Sequence, residues 1–200
     1  MRRLSGSVLI CVVSLILLAA SFDCFAERPD EGVGKWLQEV GFVTGFVDGS
    51  LKKLGSFSSA HLGMRFGFDL KPFTKKMFNF EPKGMLEIVY EPFLNPVIEP
   101  YSNVELGLPV FFKYAYPLTD KIFPFIEAGM GPYYTSLSTY EQGTQFNIIS
   151  QGGAGVSYFF REDKSINFEY RRRHVSNAGI KEPNGGIDSN VYLLGLSWYF

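Results

Sequence analysis

The sequence predicts an all-β fold, an eight-stranded antiparallel transmembrane β-barrel of the bacterial outer membrane. Three observations lead there. Apolar and polar residues alternate with period two in one segment after another, and clusters of Gly, Pro, Asn, Asp and Ser separate the segments. The chain carries 20 Phe, 11 Tyr and 21 Gly, yet its charged residues are 20% of the total. Past the leader, no apolar run approaches the roughly 20 residues that a membrane-crossing helix needs. Aromatic and glycine richness without long apolar runs fits strands that face lipid on alternate residues.

The domain organisation follows from the N-terminus. Arg2 and Arg3 form a basic start, Val8 to Ala20 an apolar stretch, and Ser21 to Ala26 a segment with a small final residue. This is the layout of a signal peptide over residues 1–26, removed after Ala26. Residues 27–39 read as a short polar periplasmic lead and residues 40–200 as the barrel. Both cysteines, Cys11 and Cys24, fall in the leader. Disulfides, thiol catalysis and Cys-ligated metals are therefore excluded for the mature chain. The 19 basic and 20 acidic residues nearly balance, with only Arg2, Arg3 and Asp23 in the leader. That balance gives no case for nucleic-acid binding.

Eight strands are predicted in order. The first covers Val40 to Asp48, with Val40, Phe42, Thr44 and Phe46 on one face. The second, His61 to Leu70, sets Met64, Phe66 and Phe68 against Arg65 and Asp69. The third, Met85 to Pro92, sets Leu86, Ile88 and Tyr90 against Glu87 and Glu91. The fourth, Asn103 to Tyr116, is the most regular, with an unbroken apolar face from Val104 to Tyr116. The fifth, Ile122 to Tyr134, sets Ile126 and Met130 against Glu127, although Phe123 and Phe125 blur the pattern. The sixth runs from Gln145 to Phe160, the seventh from Ile166 to Ser176 and the eighth from Asn190 to Phe200. An aromatic-alternating last strand ending in Phe200 resembles the assembly signal of outer-membrane proteins, so their assembly machinery is an expected partner. The charged second faces pair Lys113, Arg65, Arg171 and Arg173 with Asp69 and several Glu. A barrel of eight strands is just wide enough for side chains to fill, so a plugged lumen without pore function is expected. A soluble lipocalin-like barrel would need a polar outer face, whereas one face here is a near-continuous apolar band.

The chemistry concentrates on strand seven. Spacing by two puts His174 and Ser176 on one face with Ile166, Phe168 and Tyr170. An even strand number puts both termini on the periplasmic side, so strand seven reaches the extracellular rim at His174 and Ser176. Strand eight returns from there, and parity from Phe200 back through Tyr192 and Asn190 places Asp188 on the same outer face. The three residue types suit ester hydrolysis: Ser176 as nucleophile, His174 as base and acid, and Asp188 holding the imidazole tautomer. Asn177 and the backbone N–H groups near Ala178 and Gly179 are the expected oxyanion donors. Arg172 shares the outer face and is expected to contact substrate.

The segment Arg173-His174-Val175-Ser176-Asn177-Ala178, followed by Pro183-Asn184-Gly185-Gly186 and Asp188, resembles the signature of the PagL-type lipid A 3-O-deacylases. The resemblance implies an outer-membrane, multi-pass esterase that removes the 3-linked acyl chain of lipid A, the lipid part of lipopolysaccharide. The family's His and Ser map to His174 and Ser176. Its acid is usually Glu; Asp188 stands at the matching position with an arm one methylene shorter, and Glu182 is the alternative acid. No metal or organic cofactor is expected, and a homodimer is left open. The rival readings are a catalytically silent barrel for membrane integrity or adhesion, and a phospholipase or acyltransferase on the same scaffold. His61 falls on the lumen face and reads as structural. Trp198 and Tyr199 read as an aromatic girdle, and Gly152, Gly153 and Gly155 as a bend or close packing within a strand.

Overall fold

The structure, a computed structural model, describes residues 36–200. The leader expected over 1–26 and most of the lead expected over 27–39 lie outside the described residues. The elements are β1 (Leu37–Leu51), β2 (Gly55–Asp69), α1 (Lys71–Phe78), β3 (Met85–Tyr90), β4 (Phe93–Glu99), β5 (Asn103–Gly107), β6 (Val110–Ala115), β7 (Ile122–Thr135), β8 (Phe146–Arg161), β9 (Lys164–Ser176) and β10 (Ile187–Tyr199). All strand pairings are antiparallel, and β1 pairs with both β2 and β10. The sheet therefore closes. β3 with β4, and β5 with β6, each fill one position, which makes a ring of eight strands. Closure leaves no unpaired edge, the condition for a sheet to stand in hydrocarbon.

Two of the eight strands are split, and proline is the reason. Pro92 separates β3 from β4, and Pro109 separates β5 from β6. Proline has no N–H to give to the ladder. Both prolines still accept: Met64 N donates to Pro92 O (3.0 Å) and Glu91 N to Pro109 O (3.1 Å). The third strand thus continues through β4 to Glu99, well past the expected end at Pro92. The first strand also begins earlier than expected, so Leu37 to Glu39, read as lead, belong to β1. The sequence reading has no element where α1 stands, because an eight-residue helix is too short to show its period.

The alternation sorts the wall. Along β9, Ile166, Phe168, Tyr170, Arg172 and His174 point outward, while Ser165, Asn167, Glu169, Arg171 and Arg173 are buried inside. The lumen is filled in layers. A small apolar cluster of Met85, Ala115, Phe125 and Phe159 sits at the end where β1 starts and β10 finishes. Next, Lys113 Nζ lies 2.5 Å from Glu39 and 3.3 Å from Glu87. In the middle, Arg65 reaches Glu91 (2.8 Å) and Glu169 (2.9 Å), and Arg171 reaches Glu91 (2.5 Å), Glu127 (2.7 Å) and Glu169. Above them Arg173 forks onto Glu105 (3.1 and 3.2 Å), which also accepts from Asn95, Ser59 and Tyr133. An apolar cap including Val47, Phe57, Val97, Ile149 and Val175 closes the far end. Charges out of water are tolerable only when paired, and each of these carboxylates lies within 3.3 Å of a lysine or arginine nitrogen, although the oxygens of Glu87 and Glu127 are held by charge alone, without a hydrogen bond.

Two details depart from expectation. Asp69 does not join the lumen pairs; its carboxylate accepts from Lys71 N (2.9 Å) at the start of α1, and Glu39 serves inside instead. Tyr199 points inward onto Phe159 (5.0 Å between ring centres), while Trp198 stands outside against Phe42. His61 is buried on the lumen face as read, 3.7 Å from Glu91. Close packing accounts for Gly153: a Cβ there would lie 2.2 Å from Tyr170 O.

Arg171 also stacks over the Phe111 ring at 4.4 Å. Removing one partner of a buried charge network strands the others. Arg171→Ala is expected to lower barrel stability by about 3–5 kcal/mol, measured by urea unfolding in detergent micelles with the heat-dependent gel shift of folded barrels as readout.

Candidate active site

His174 near the end of β9 and Asp188 near the start of β10 are direct cross-strand partners. The β9–β10 register runs without a shift from Trp198↔Lys164 to Ile187↔Val175, so parity counted along the strands holds to the rim. His174 Nδ1 lies 2.9 Å from Asp188 Oδ1, with the two side chains 50% and 58% exposed. Ser176 follows His174 by two on the same face, and pairs with Ile148 of β8. The pairs below continue the face: Arg172↔Asn190 and Tyr170↔Tyr192. Asn190 Oδ1 accepts from both Arg172 Nη1 and Tyr170 Oη, each at 2.9 Å. Asn190 thereby fixes an arginine and a tyrosine beneath the His–Asp pair. It was legible only as a parity marker, since nothing in the sequence says which side chains meet across two strands.

The loop between β9 and β10 is built by one buried amide. Asn177 Nδ2 donates to Lys181 O (2.6 Å) and Pro183 O (3.3 Å), and its Oδ1 accepts Gly179 N–H (3.0 Å). Its backbone N–H donates to Asn184 Oδ1 (2.9 Å). The groups of Asn177 and Gly179 expected to receive an oxyanion therefore hold the loop instead. Asn177 is fully buried, and a buried amide must find partners; the loop's own carbonyls are the nearest. The loop between β7 and β8 lies against this one: Gly143 N donates to Pro183 O (2.6 Å), Gly185 N to Glu141 O (2.7 Å) and Gln142 Nε2 to Val175 O (3.3 Å). Glu141 in turn accepts from Lys52 N (2.5 Å) in the β1–β2 turn. Glu182, the alternative acid, lies in the loop and shares no hydrogen bond with His174 among the described residues.

The loop ends on Gly186, at φ +71°. A Cβ at Gly186 would lie 2.5 Å from His174 Cε1. The imidazole is thus set by a carboxylate on one side and by bare backbone on the other. Away from the rim, the outer wall forms a shallow apolar groove lined by Ala154, Val156, Phe168, Tyr170, Tyr192 and Leu194. An imidazole held by a carboxylate, with a hydroxyl on the same face, can take a proton from that hydroxyl. The groove beneath suits an alkyl chain. Among the described residues no group of three or more His, Cys, Asp or Glu has the arrangement of a metal site.

A closed eight-stranded ring with an apolar outer wall defines a membrane β-barrel, and the cluster of His174, Asp188, Arg172 and Asn190 stands on that outer wall. The family profile described as lipid A 3-O-deacylase (PagL) matches residues 59–197, and the chain belongs to that family. It is 40% identical to the lipid A deacylase PagL of Pseudomonas aeruginosa over 73 residues, which is 35% of this chain and 40% of that protein's length. It matches the crystal structure of the outer membrane enzyme PagL with a TM-score of 0.57 at 26% identity, covering 80% of this chain and 98% of that one. It matches Neisserial surface protein A with a TM-score of 0.58 at 14% identity, over 85% and 100% of the two chains. That second likeness shows the shared barrel fold alone. These relatives are outer-membrane barrels, and this chain is one too.

Gly186→Ala is expected to push the imidazole off Asp188 and to cost about 1–2 kcal/mol in backbone strain at positive φ. The check is the ¹⁵N shift and proton exchange of His174 Nδ1 in micelles, which should move in the variant while the amide spectrum of β1 to β8 stays in place.

Proposed function

We propose that this protein is an outer-membrane esterase that removes the 3-O-linked acyl chain of lipid A in the outer leaflet. The observation that carries the reading is the 2.9 Å contact of His174 Nδ1 with Asp188 Oδ1, on an apolar outer wall that also presents Ser176. With Nδ1–H donating to Asp188, Nε2 of His174 is the basic nitrogen. It takes the Ser176 proton as the hydroxyl oxygen attacks the acyl carbonyl. The tetrahedral intermediate collapses, and the imidazolium returns the proton to the departing sugar oxygen. Water then attacks the acyl-enzyme by the same route and releases the fatty acid. Asp188 stabilises the imidazolium in both halves. Ser176 makes no hydrogen bond to His174 among the described residues, and such contacts commonly tighten only when substrate binds.

The oxyanion needs a donor that the loop does not already use. Asn184 accepts from Asn177 N–H through Oδ1, which leaves its Nδ2 hydrogens for the developing charge. One such donor is typically worth about 3 kcal/mol. Arg172, steadied by Asn190, serves the polar headgroup, and the groove along Phe168 and Tyr170 takes the acyl chain.

Mass spectrometry of lipid A from cells producing the wild type, Ser176→Ala, His174→Ala and Asp188→Asn tests the reading. One hydroxyacyl chain should be lost with the wild type and retained with the first two variants. Asp188→Asn should slow the reaction by roughly 10²–10⁴-fold. The same spectrum from wild type and empty cells would overturn the esterase. A phospholipid-derived product in its place would point to a phospholipase or acyltransferase on the same scaffold.

A further inference from the structure

The end of the barrel away from the candidate site carries an apolar feature that the esterase chemistry does not use. The connection from β2 to β3 contains α1, which buries none of its residues. Phe73, Met77 and Phe78 of the helix, and Phe80 just after it, are 51%, 60%, 69% and 58% exposed. At 100° per residue, Phe73 and Met77 fall on one side of the helix and Lys71 and Lys75 on the opposite side, with Lys76 at the flank next to Phe73 and Phe78 beside Lys71 in the last turn. The helix does not cap the lumen. Phe73 instead forms one wall of a cleft whose other wall is the lipid-facing surface of the barrel, with Trp36, Phe66, Phe68, Ile88 and Tyr90. The cleft is thus continuous with the surface that faces hydrocarbon.

Four large apolar side chains in and beside eight helical residues would be poorly placed in water. An amphipathic helix with basic residues on its polar side lies in the plane of a membrane interface. The lysines decide which lipid is preferred. Lys76 is fully on the surface, Lys71 is half-buried at the helix start, and Lys75 pairs with Glu81 at 2.7 Å. The hydrogen bond and charge of Glu81 raise the pKa of Lys75, and those of Lys75 lower that of Glu81. Lys83 adds a further exposed cation in the same connection. Basic residues near a bilayer surface favour anionic headgroups.

We propose that α1 and the cleft beside it form a binding site for an anionic phospholipid of the periplasmic leaflet, one acyl chain lying between Phe73 and the barrel wall and the phosphate held by Lys71, Lys75 and Lys76. The site is independent of the esterase reading, and its test uses no enzymatic readout.

Trp36 lines the cleft, and Trp198 is the other tryptophan of the chain. A Trp198→Phe protein in vesicles therefore reports on the cleft through quenching of Trp36 fluorescence by brominated acyl chains. Brominated phosphatidylglycerol and brominated phosphatidylcholine are compared at equal mole fraction, each within the same total lipid mixture. Phosphatidylglycerol should quench at least about two-fold more strongly. Combining Lys71→Gln, Lys75→Gln and Lys76→Gln should abolish the preference while quenching itself persists. Equal quenching by the two lipids, or none by either, would overturn the proposal. Should Trp198→Phe not give the heat-shifted band of a folded barrel, native mass spectrometry of the wild type released from mixed vesicles makes the same comparison. Retained phosphatidylglycerol should exceed phosphatidylcholine in the wild type and not in the triple variant; equal retention overturns the site.

Discussion

The ladder between β1 and β10, from Glu39↔Tyr199 to Gly49↔Ser189, closes the sheet on itself. In hydrocarbon no water is present to satisfy an open edge, so this pairing is the condition on which the other strands persist. It has a direct effect on the candidate site. β10 is held on one side by β1 and on the other by β9, and neither register slips. Asp188 is therefore delivered opposite His174 by the whole ring. A side chain of Asp length suffices because the two residues are immediate cross-strand neighbours. The arm that is one methylene shorter than the family's usual Glu still brings Oδ1 to 2.9 Å from Nδ1.

Closure and the interior support one another. A ring of eight strands encloses only enough space for side chains, and here that space holds Arg65, Arg171, Arg173 and Lys113 among six glutamates, between apolar layers at the two ends. The same strand that faces His174 outward buries Arg173 and Val175 on either side of it. The outer site thus stands on a packed base. Its own polar pieces, His174 with Asp188 and Arg172 with Asn190, are half-exposed and fixed by register more than by burial.

Much of this was legible in the sequence because period-two alternation is local. It located the ring of eight, the inward Glu and Arg residues, and the outward face shared by His174, Ser176 and Asp188. It failed where a residue's partner depends on a return of the chain. Pro92 read as a strand end, yet a strand can continue past a residue that lacks only its donor, as β4 does. Asp69 fitted the inward parity but was drawn to the first turn of α1, and Glu39, read as part of the lead, took up Lys113. Asn177 looked like a donor beside the nucleophile because it is next in sequence. Its amide turns into the loop to meet Lys181 and Pro183, a contact that spacing cannot reveal. Gly186 was visible as a motif glycine, but its closeness to the imidazole emerges only once the loop is folded back.

The outward direction of His174, Ser176 and the apolar groove below them changes what concentration means for this protein. Nothing approaches that wall through the lumen, which is filled, and little approaches it from bulk water. A lipid arrives by lateral diffusion within one leaflet. Occupancy of the wall therefore follows the mole fraction of lipid around the barrel and the crowding of that leaflet, and diluting the surrounding aqueous phase leaves it unchanged.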